Sequence, residues 1–218
     1  MAATRAMVPI CTIVRMSDQP LSTDAAMRTY FADDPRTNYE RMRAGELYLS
    51  DDPAILEEQT RAVRLAARFD AAYREDPERA QQIARGLFGS LDTTAFVRAP
   101  VYVDYGSNVT IGARTFINYG LTAADVATIT IGADCQIGPH VQLLTPTHPA
   151  DPRMRRDKLE AAEQITLGDN VWLGGGVIVC PGVTIGENSV IGAGAVVTRD
   201  IRANVLAVGN PARVVREI

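Results

Sequence analysis

The sequence predicts a mainly β fold, a parallel β-helix preceded by a helical segment, on three observations. Aliphatic residues recur every six positions, at Leu167, Leu173, Val179, Ile185, Ile191 and Val197. Small or β-branched residues stand two places earlier, at Val171, Val177, Val183, Ser189 and Ala195, the spacing of side chains on one face of a strand. Glycine follows at Gly168, Gly174, Gly186 and Gly192, where the backbone turns and a side chain would crowd it. A short strand and a corner, repeated every six residues, make a coil that stacks on itself, and this period is a signature of the parallel β-helix.

The first sixteen residues contain Arg5 and Arg15 and no acid, faintly like a transit peptide; an unstructured tail, with Met7 or Met16 as the start, is the simpler expectation. Residues 18–36 are polar and aperiodic, so residues 1–37 are expected to hold little order. A helical segment over residues 38–94 follows. Asp51 or Asp52 can cap its main helix and Pro53 suits the first turn. Ile55, Leu56, Val63, Ala66, Phe69 and Tyr73 trace one face. Asp76-Pro77 restarts the pattern, and Ile83, Leu87 and Phe88 mark a second helix that stops near Gly89. Two amphipathic helices ahead of a coil are expected to bury their stripes on its open N-terminal end, because an uncovered end leaves sheet edges unpaired.

The coil is assigned to residues 95–200. Its register appears at Tyr105-Gly106, Ile111-Gly112 and Ile117, slips by two residues near Ala124 to Val126, and resumes at Ile131, Ile137 and Leu143. Over residues 144–164 it vanishes. Pro146, Pro149, Pro152, alternating charges and a histidine make this a long irregular insertion, a place where function concentrates. Residues 201–218 leave the coil as a strand or helix tail, turning at Gly209-Asn210-Pro211.

Charge is near balance, 22 basic residues against 26 acidic, which gives no general attraction for nucleic acid or anionic lipid. No apolar run is long enough to span a bilayer. Three cysteines, with Cys135 on an inward coil position, suit a reduced, cytoplasmic protein. The chain has two histidines. A neutral imidazole titrates near working pH and can take a proton from a hydroxyl. His148 stands in the insertion; His140 follows Pro139 at a coil corner and reads as a surface residue.

The lead-in "RMRAGELY", the loop "THPADP", the run "LGDNVWLGGGVIVCPGVTIGENSVIGAGAVVTRDI" and the tail "GNPARVV" closely resemble the maltose and galactoside O-acetyltransferases of the hexapeptide acyltransferase superfamily. The resemblance covers residues 38–218. It implies a left-handed β-helix, a homotrimer with its active site between adjacent subunits, and acetyl transfer from acetyl-coenzyme A to a sugar hydroxyl. The family's catalytic histidine matches His148, and Asn118 in "INYG" matches its active-site asparagine. Glu160 matches a glutamate in the same loop of the maltose type, which would orient the imidazole; a solvated charge beside Lys158 is the other reading. Asp104 and Asp125 match polar acceptor-site positions, although Asp104 replaces a serine of the galactoside type. That type's N-terminal acceptor aspartate falls on Ser50, with Asp51 adjacent. These matches favour a maltose or glucose acceptor over a galactoside.

For the coenzyme, small residues at Gly175, Ala193 and Gly194 would let the pantetheine arm approach the coil. Thr198, Arg199, Arg213 and Arg216 match family positions near the coenzyme, and arginine suits phosphate through its planar fork. A solvated C-terminal helix face is the plainer reading of these arginines. Trp172 matches a position beside the pantetheine tunnel, though a buried structural tryptophan would read the same. Hexapeptide coils also host zinc-dependent carbonic anhydrases, but that site needs three ligands. Such a coil could also serve as a non-catalytic trimeric scaffold or as a broad-specificity xenobiotic acetyltransferase. "AGELY" argues against the latter. The resulting expectation is a cytoplasmic, homotrimeric sugar O-acetyltransferase with His148 as general base. No acyl-enzyme is expected, because no cysteine or serine stands beside His148 in a recognisable motif.

Overall fold

A computed structural model describes residues 19–218. The tail expected over the first residues lies outside these as far as residue 18. The fold is the mainly β, left-handed parallel β-helix with a helical N-terminal segment that the six-residue period and the resemblance predict. Among the described residues, no helix is long and apolar enough to cross a membrane.

Order begins earlier than expected. Ser22 caps α1 (Thr23–Tyr30), inside the stretch read as aperiodic. Its apolar residues Ala26, Met27, Tyr30 and Phe31 fall one turn apart, a short helical stripe diluted by polar neighbours. Thr37 and Glu40 form a capping box that starts α2 (Asn38–Arg43). Asp52 caps α3 (Pro53–Glu75), whose first turn Pro53 opens, and Asp76 caps α4 (Pro77–Leu87). The buried stripe of α3 is Ile55, Ala62 and Phe69, seven residues apart. Leu56 and Val63, read as part of that stripe, are 51% and 65% exposed because they lie one position round the helix. Phe69 of α3 and Ala80, Ala84 and Leu87 of α4 join the core formed by Leu91, Val97 and Val101, so the two helices do cover the coil's first turn.

That turn starts at Ser90, not at residue 95, because Ser90 and Leu91 already pair with Thr110 and Ile111. The coil has three faces. Face one stacks Ser90–Leu91, Val109–Ile111, Ile129–Ile131, Ile165–Leu167 and Thr184–Ile185. Face two stacks Phe96–Val97, Phe116–Ile117, Gln136–Ile137, Trp172–Leu173, Val190–Ile191 and Val205–Val208. Face three stacks Val101–Val103, Leu121–Ala124, Gln142–Leu144, Ile178–Val179 and Val196–Val197. Every neighbour in these stacks is parallel and in register. The aliphatic and small residues named from the period all point inward and are buried.

The two-residue slip has a physical cause. Ile111 pairs with Ile131, twenty residues on, whereas Leu173 pairs with Ile191, eighteen on. The first turns are longer because the corner from face three to face one is enlarged, and Asp125 fastens it. Its carboxylate accepts from the backbone N–H of Asp104 (3.0 Å), Tyr105 (2.9 Å) and Asn108 (3.2 Å). At the far end the tail is not helical: Arg213–Glu217 returns antiparallel to Val205–Val208 and closes the open edge of face two.

The insertion is an ordered hairpin. Strands Pro146–Thr147 and Leu159–Ala162 pair antiparallel, and α5 (Pro152–Arg156), capped by Asp151, joins them. Glu163 N–H donates to the Thr145 carbonyl at 2.9 Å, closing the neck where the insertion leaves the coil. Tyr48–Leu49, from the "AGELY" lead-in, adds an edge strand to Leu159–Ala162. The sequence reads this stretch as irregular because its strands pair with each other and with a segment more than a hundred residues away, which no local period shows.

Candidate active site

Two corners of the coil hold the candidate residues. The corner from face three to face one carries Asp104, Asp125, the insertion with His148 and Glu160, and then Thr198 and Arg199. The corner from face two to face three carries Asn118, Gly175 and Ala193. Ile117 pairs with Ile137 and Leu173 with Ile191, so Tyr119, Pro139, Gly175 and Ala193 form one column down that second corner. Face three separates the corners. Within one chain, therefore, Asn118 and His148 are not brought together.

At the first corner the geometry is built on the hairpin. Pro146 pairs with Ala162 and Thr147 with Ala161; the ladder ends there, with exposed His148 next along one strand and half-buried Glu160 next along the other. Tyr48 pairs with Glu160 from the other side, and its hydroxyl donates to Glu160 Oε2 at 2.8 Å. The plain reading of Glu160 as a solvated charge beside Lys158 is therefore replaced: it is a held carboxylate. Arg155 donates to the carbonyls of Pro149 (2.9 Å) and Ala150 (3.1 Å), holding the turn just after His148.

Electrostatics join the same group. Burial, with the negative charge of Glu160 beside it, pushes the Tyr48 hydroxyl well above the usual tyrosine range. Burial and then Glu160 also raise the carboxyl of Asp104. Burial and Asp104 raise the hydroxyl of Tyr105, which donates to Met42 Sδ at 3.3 Å. Tyr48, Asp104, Tyr105 and Glu160 thus form one acidic wall at this corner; the two tyrosines are buried, and the half-buried Asp104 and Glu160 are its members that reach the surface, where a carboxylate can accept from a hydroxyl.

Asp125 does not belong to that wall. It is fully buried, both its oxygens are committed to the corner backbone, and burial pushes its carboxyl up to about 6. Its assignment to acceptor binding is corrected to a structural one. Asp51 is exposed at the same corner and accepts a hydrogen bond from the Thr23 hydroxyl, while Asp52 takes the capping role.

Asn118 sits at the second corner with Arg98 beneath it. The Arg98 guanidinium lies 4.6 Å from the Tyr119 ring centroid and 5.2 Å from that of Phe116, and its Nη1 is 3.4 Å from Asn118 Oδ1. His140 is exposed, as read from the sequence, and covers Gly120, where a Cβ would come within 2.5 Å of its Nδ1. Higher in the column the surface is bare. A Cβ at Gly176 or Gly194 would meet nothing within 4 Å, and at Gly175 only Pro139 at 3.4 Å. Trp172 is 55% exposed on face two, which removes the buried-tryptophan reading. Arg213 and Arg216 project from the return strand and bond only to nearby backbone carbonyls, and among the described residues neither they nor Arg199 pair with an acid. Glu217 is taken by Arg202 at 3.0 Å. An open ridge of small residues, with guanidinium groups free of acidic partners on the last turn and the return strand, fits a long ligand that ends in phosphates.

Tyr48, Arg155 and Arg98 were not among the residues named from the sequence. Tyr48 was visible inside "AGELY", and Arg98 stands twenty residues before Asn118, the length of a turn in this part of the coil. Arg155 left no signal beyond its place in the insertion.

A family model for the maltose acetyltransferase hexapeptide capping motif matches residues 41–92, and one for six bacterial transferase hexapeptide repeats matches residues 164–199. The chain is 41% identical to the galactoside O-acetyltransferase of Escherichia coli strain K12 over 138 residues, 63% of this chain and 68% of that one. The structure of a maltose O-acetyltransferase from Clostridium difficile 630 superposes with a TM-score of 0.82 at 40% identity, covering 84% of this chain and 98% of the other. A galactoside acetyltransferase in complex with coenzyme A gives 0.80 at 40% identity, covering 84% and 92%.

Proposed function

The chain belongs to the maltose and galactoside O-acetyltransferase family of hexapeptide-repeat acyltransferases, and from that membership we propose that it acetylates a hydroxyl of a sugar or glycoside, with acetyl-coenzyme A as co-substrate. The observation that carries this reading is the insertion hairpin, in which His148 and Glu160 each follow the last pair, Thr147 and Ala161, and Tyr48 holds the Glu160 carboxylate. In the proposed reaction His148 takes the proton of the acceptor hydroxyl. The oxygen then attacks the thioester carbonyl carbon, the carbon–sulfur bond breaks, and the departing thiolate takes the proton from His148 to leave as coenzyme A. Glu160 fixes the imidazole's orientation and compensates the charge it gains. Asp104 and Asp51 face the acceptor, which in this reading is of the maltose or glucose type that the sequence matches favour.

The coenzyme lies in this reading along the column of Gly175 and Ala193, flanked by Trp172, with Thr198, Arg199, Arg213 and Arg216 toward its phosphates. Asn118 contacts the acceptor. Because Asn118 and His148 occupy opposite edges of face three, we propose a homotrimer in which one copy's insertion corner meets its neighbour's Asn118 corner. Closed cyclic symmetry completes three such sites with one repeated interface. Cys135 and Cys180 are free thiols, which suits a cytoplasmic setting. An acceptor screen over glucose, maltose and galactosides, with thiol release as readout, tests the reading. Turnover on a glucose-type acceptor is expected; release that no sugar accelerates over water sinks it.

A further inference from the structure

We infer that α1 is a strap that positions the insertion carrying His148 and Glu160, with Tyr30 and Asp157 as its positioning residues; the inference rests on the function proposed above. α1 lies ahead of residue 41, where the match to the capping motif begins. Its apolar side packs on Leu159 and Met154 of the insertion and on Leu47 and Leu49 of the lead-in, and Ala26, Leu49 and Leu159 are at most 3% exposed. Asp157, the C-cap of α5, is buried three residues before Glu160. One of its oxygens accepts from the Tyr30 hydroxyl at 2.8 Å and the other from the Leu21 backbone N–H at 2.9 Å. Both carboxylate oxygens of an insertion residue are therefore held by the α1 segment.

The other end of the strap is fixed to the body. Arg41 of α2 is fully buried, 3.1 Å from Asp34 Oδ2, donating to the Asp34 carbonyl at 2.9 Å, with its guanidinium 4.1 Å from the Phe31 ring centroid. Thr23 adds a bond to Asp51 on the acceptor side. Beyond these anchors the insertion is held by its two-stranded neck and by the Tyr48–Leu49 edge strand, so releasing Asp157 loosens the hairpin from its α5 end without opening the coil. Misplacing a catalytic group by about 1 Å costs up to about a hundredfold in rate.

The test compares Asp157→Ala with Asp157→Asn in the full chain; asparagine keeps an acceptor for Leu21 and an amide that can bond the Tyr30 oxygen. In Asp157→Ala, amide exchange over residues 152–162 is expected to quicken about tenfold while residues 165–197 keep their protection. The turnover number is expected to fall about tenfold with the acetyl-coenzyme A constant moved less than about twofold, and Asp157→Asn to keep both readouts within about threefold of the parent. Unchanged exchange over 152–162 in Asp157→Ala overturns the strap. Faster exchange there with parental turnover overturns its positioning role. If the parent protein transfers no acetyl group to any sugar, the proposed function fails, and the exchange measurement still decides whether α1 holds the insertion.

Discussion

Gln81 pairs with Val97 as though it were a further strand: its Nε2 donates to the Val97 carbonyl at 3.0 Å and its Oε1 accepts from the Val97 N–H at 3.0 Å. Val97 lies in the first strand of face two, where no earlier turn of the coil supplies a partner, and both residues are buried. Each buried backbone group left unpaired costs about 1–3 kcal/mol. Replacing Gln81 with Leu, which keeps the volume and removes both partners, is expected to destabilise the chain by about 2–4 kcal/mol, read as a lower urea midpoint at constant slope. A midpoint within experimental scatter of the parent would mean that water satisfies Val97.

Tyr48→Phe isolates the hold on Glu160. The ring still fills its buried site, and only the bond to Glu160 Oε2 is lost. A hydrogen bond to a charged group contributes about 1.5–3 kcal/mol, so turnover with the best acceptor is expected to fall about tenfold or more. The constant for acetyl-coenzyme A is expected to stay put, because the coenzyme column lies on the other corner. Equal losses in both terms point instead to a general loosening of the hairpin.

Regular parts of this fold are legible in the sequence because each is specified locally. The inward positions from Leu167 to Val197 repeat a rule that one turn already states, and Asp52-Pro53 and Asp76-Pro77 each mark their helix start within two residues. What the sequence does not yield is long-range pairing. Tyr48 meets Glu160 across 112 positions and Tyr30 meets Asp157 across 127. Asp125 shows the complementary error: a polar residue at a family site position reads as acceptor-facing, whereas its environment commits it to three backbone donors. Only the enlarged corner, visible as a two-residue slip at that position, hinted at the structural role.

Asp125 also sets a pH dependence. Its carboxyl is raised to about 6 by burial, against which its backbone donors act. The folded state then holds this proton more tightly than the unfolded state does, so its contribution is fully present below about pH 4 and is lost as pH rises through about 6. The loss amounts to about 3 kcal/mol at most. Asparagine does not titrate, so the stability advantage of the parent over Asp125→Asn is expected to shrink between about pH 4.5 and 7.5 in denaturant unfolding. An advantage that grows with pH shows that the N–H donors favour the anion enough to outweigh burial.

Arg199 stands on the corner from face three to face one and Arg213 on the return strand beside face two, and neither pairs with an acid among the described residues. If both reach coenzyme phosphates, the double replacement by Ala is expected to raise the acetyl-coenzyme A constant about tenfold or more, from charge-assisted bonds worth about 1.5–3 kcal/mol each. The acceptor constant is expected to hold. The same replacement is expected to weaken the salt dependence of coenzyme binding, since screened charges carry it. An unchanged coenzyme constant returns both residues to the solvated surface.

His148→Ala addresses the chemistry itself. General-base catalysis contributes about a hundred- to ten-thousandfold, and turnover is expected to fall by that order. The hairpin is expected to persist, because its geometry is fixed elsewhere: by the Thr145–Glu163 neck, by Arg155 on the carbonyls of Pro149 and Ala150, and by Tyr48 on Glu160. Coenzyme binding is expected to persist too, because Gly175, Ala193 and Thr198 stand on the coil and not on the insertion. Isothermal titration with acetyl-coenzyme A, run beside steady-state turnover on the best acceptor, separates these effects. Near-parental turnover sinks the general-base mechanism. A coenzyme affinity that collapses in step with turnover makes His148 a structural residue of the insertion, and the base must then be sought along the acidic wall of Asp104 and Glu160.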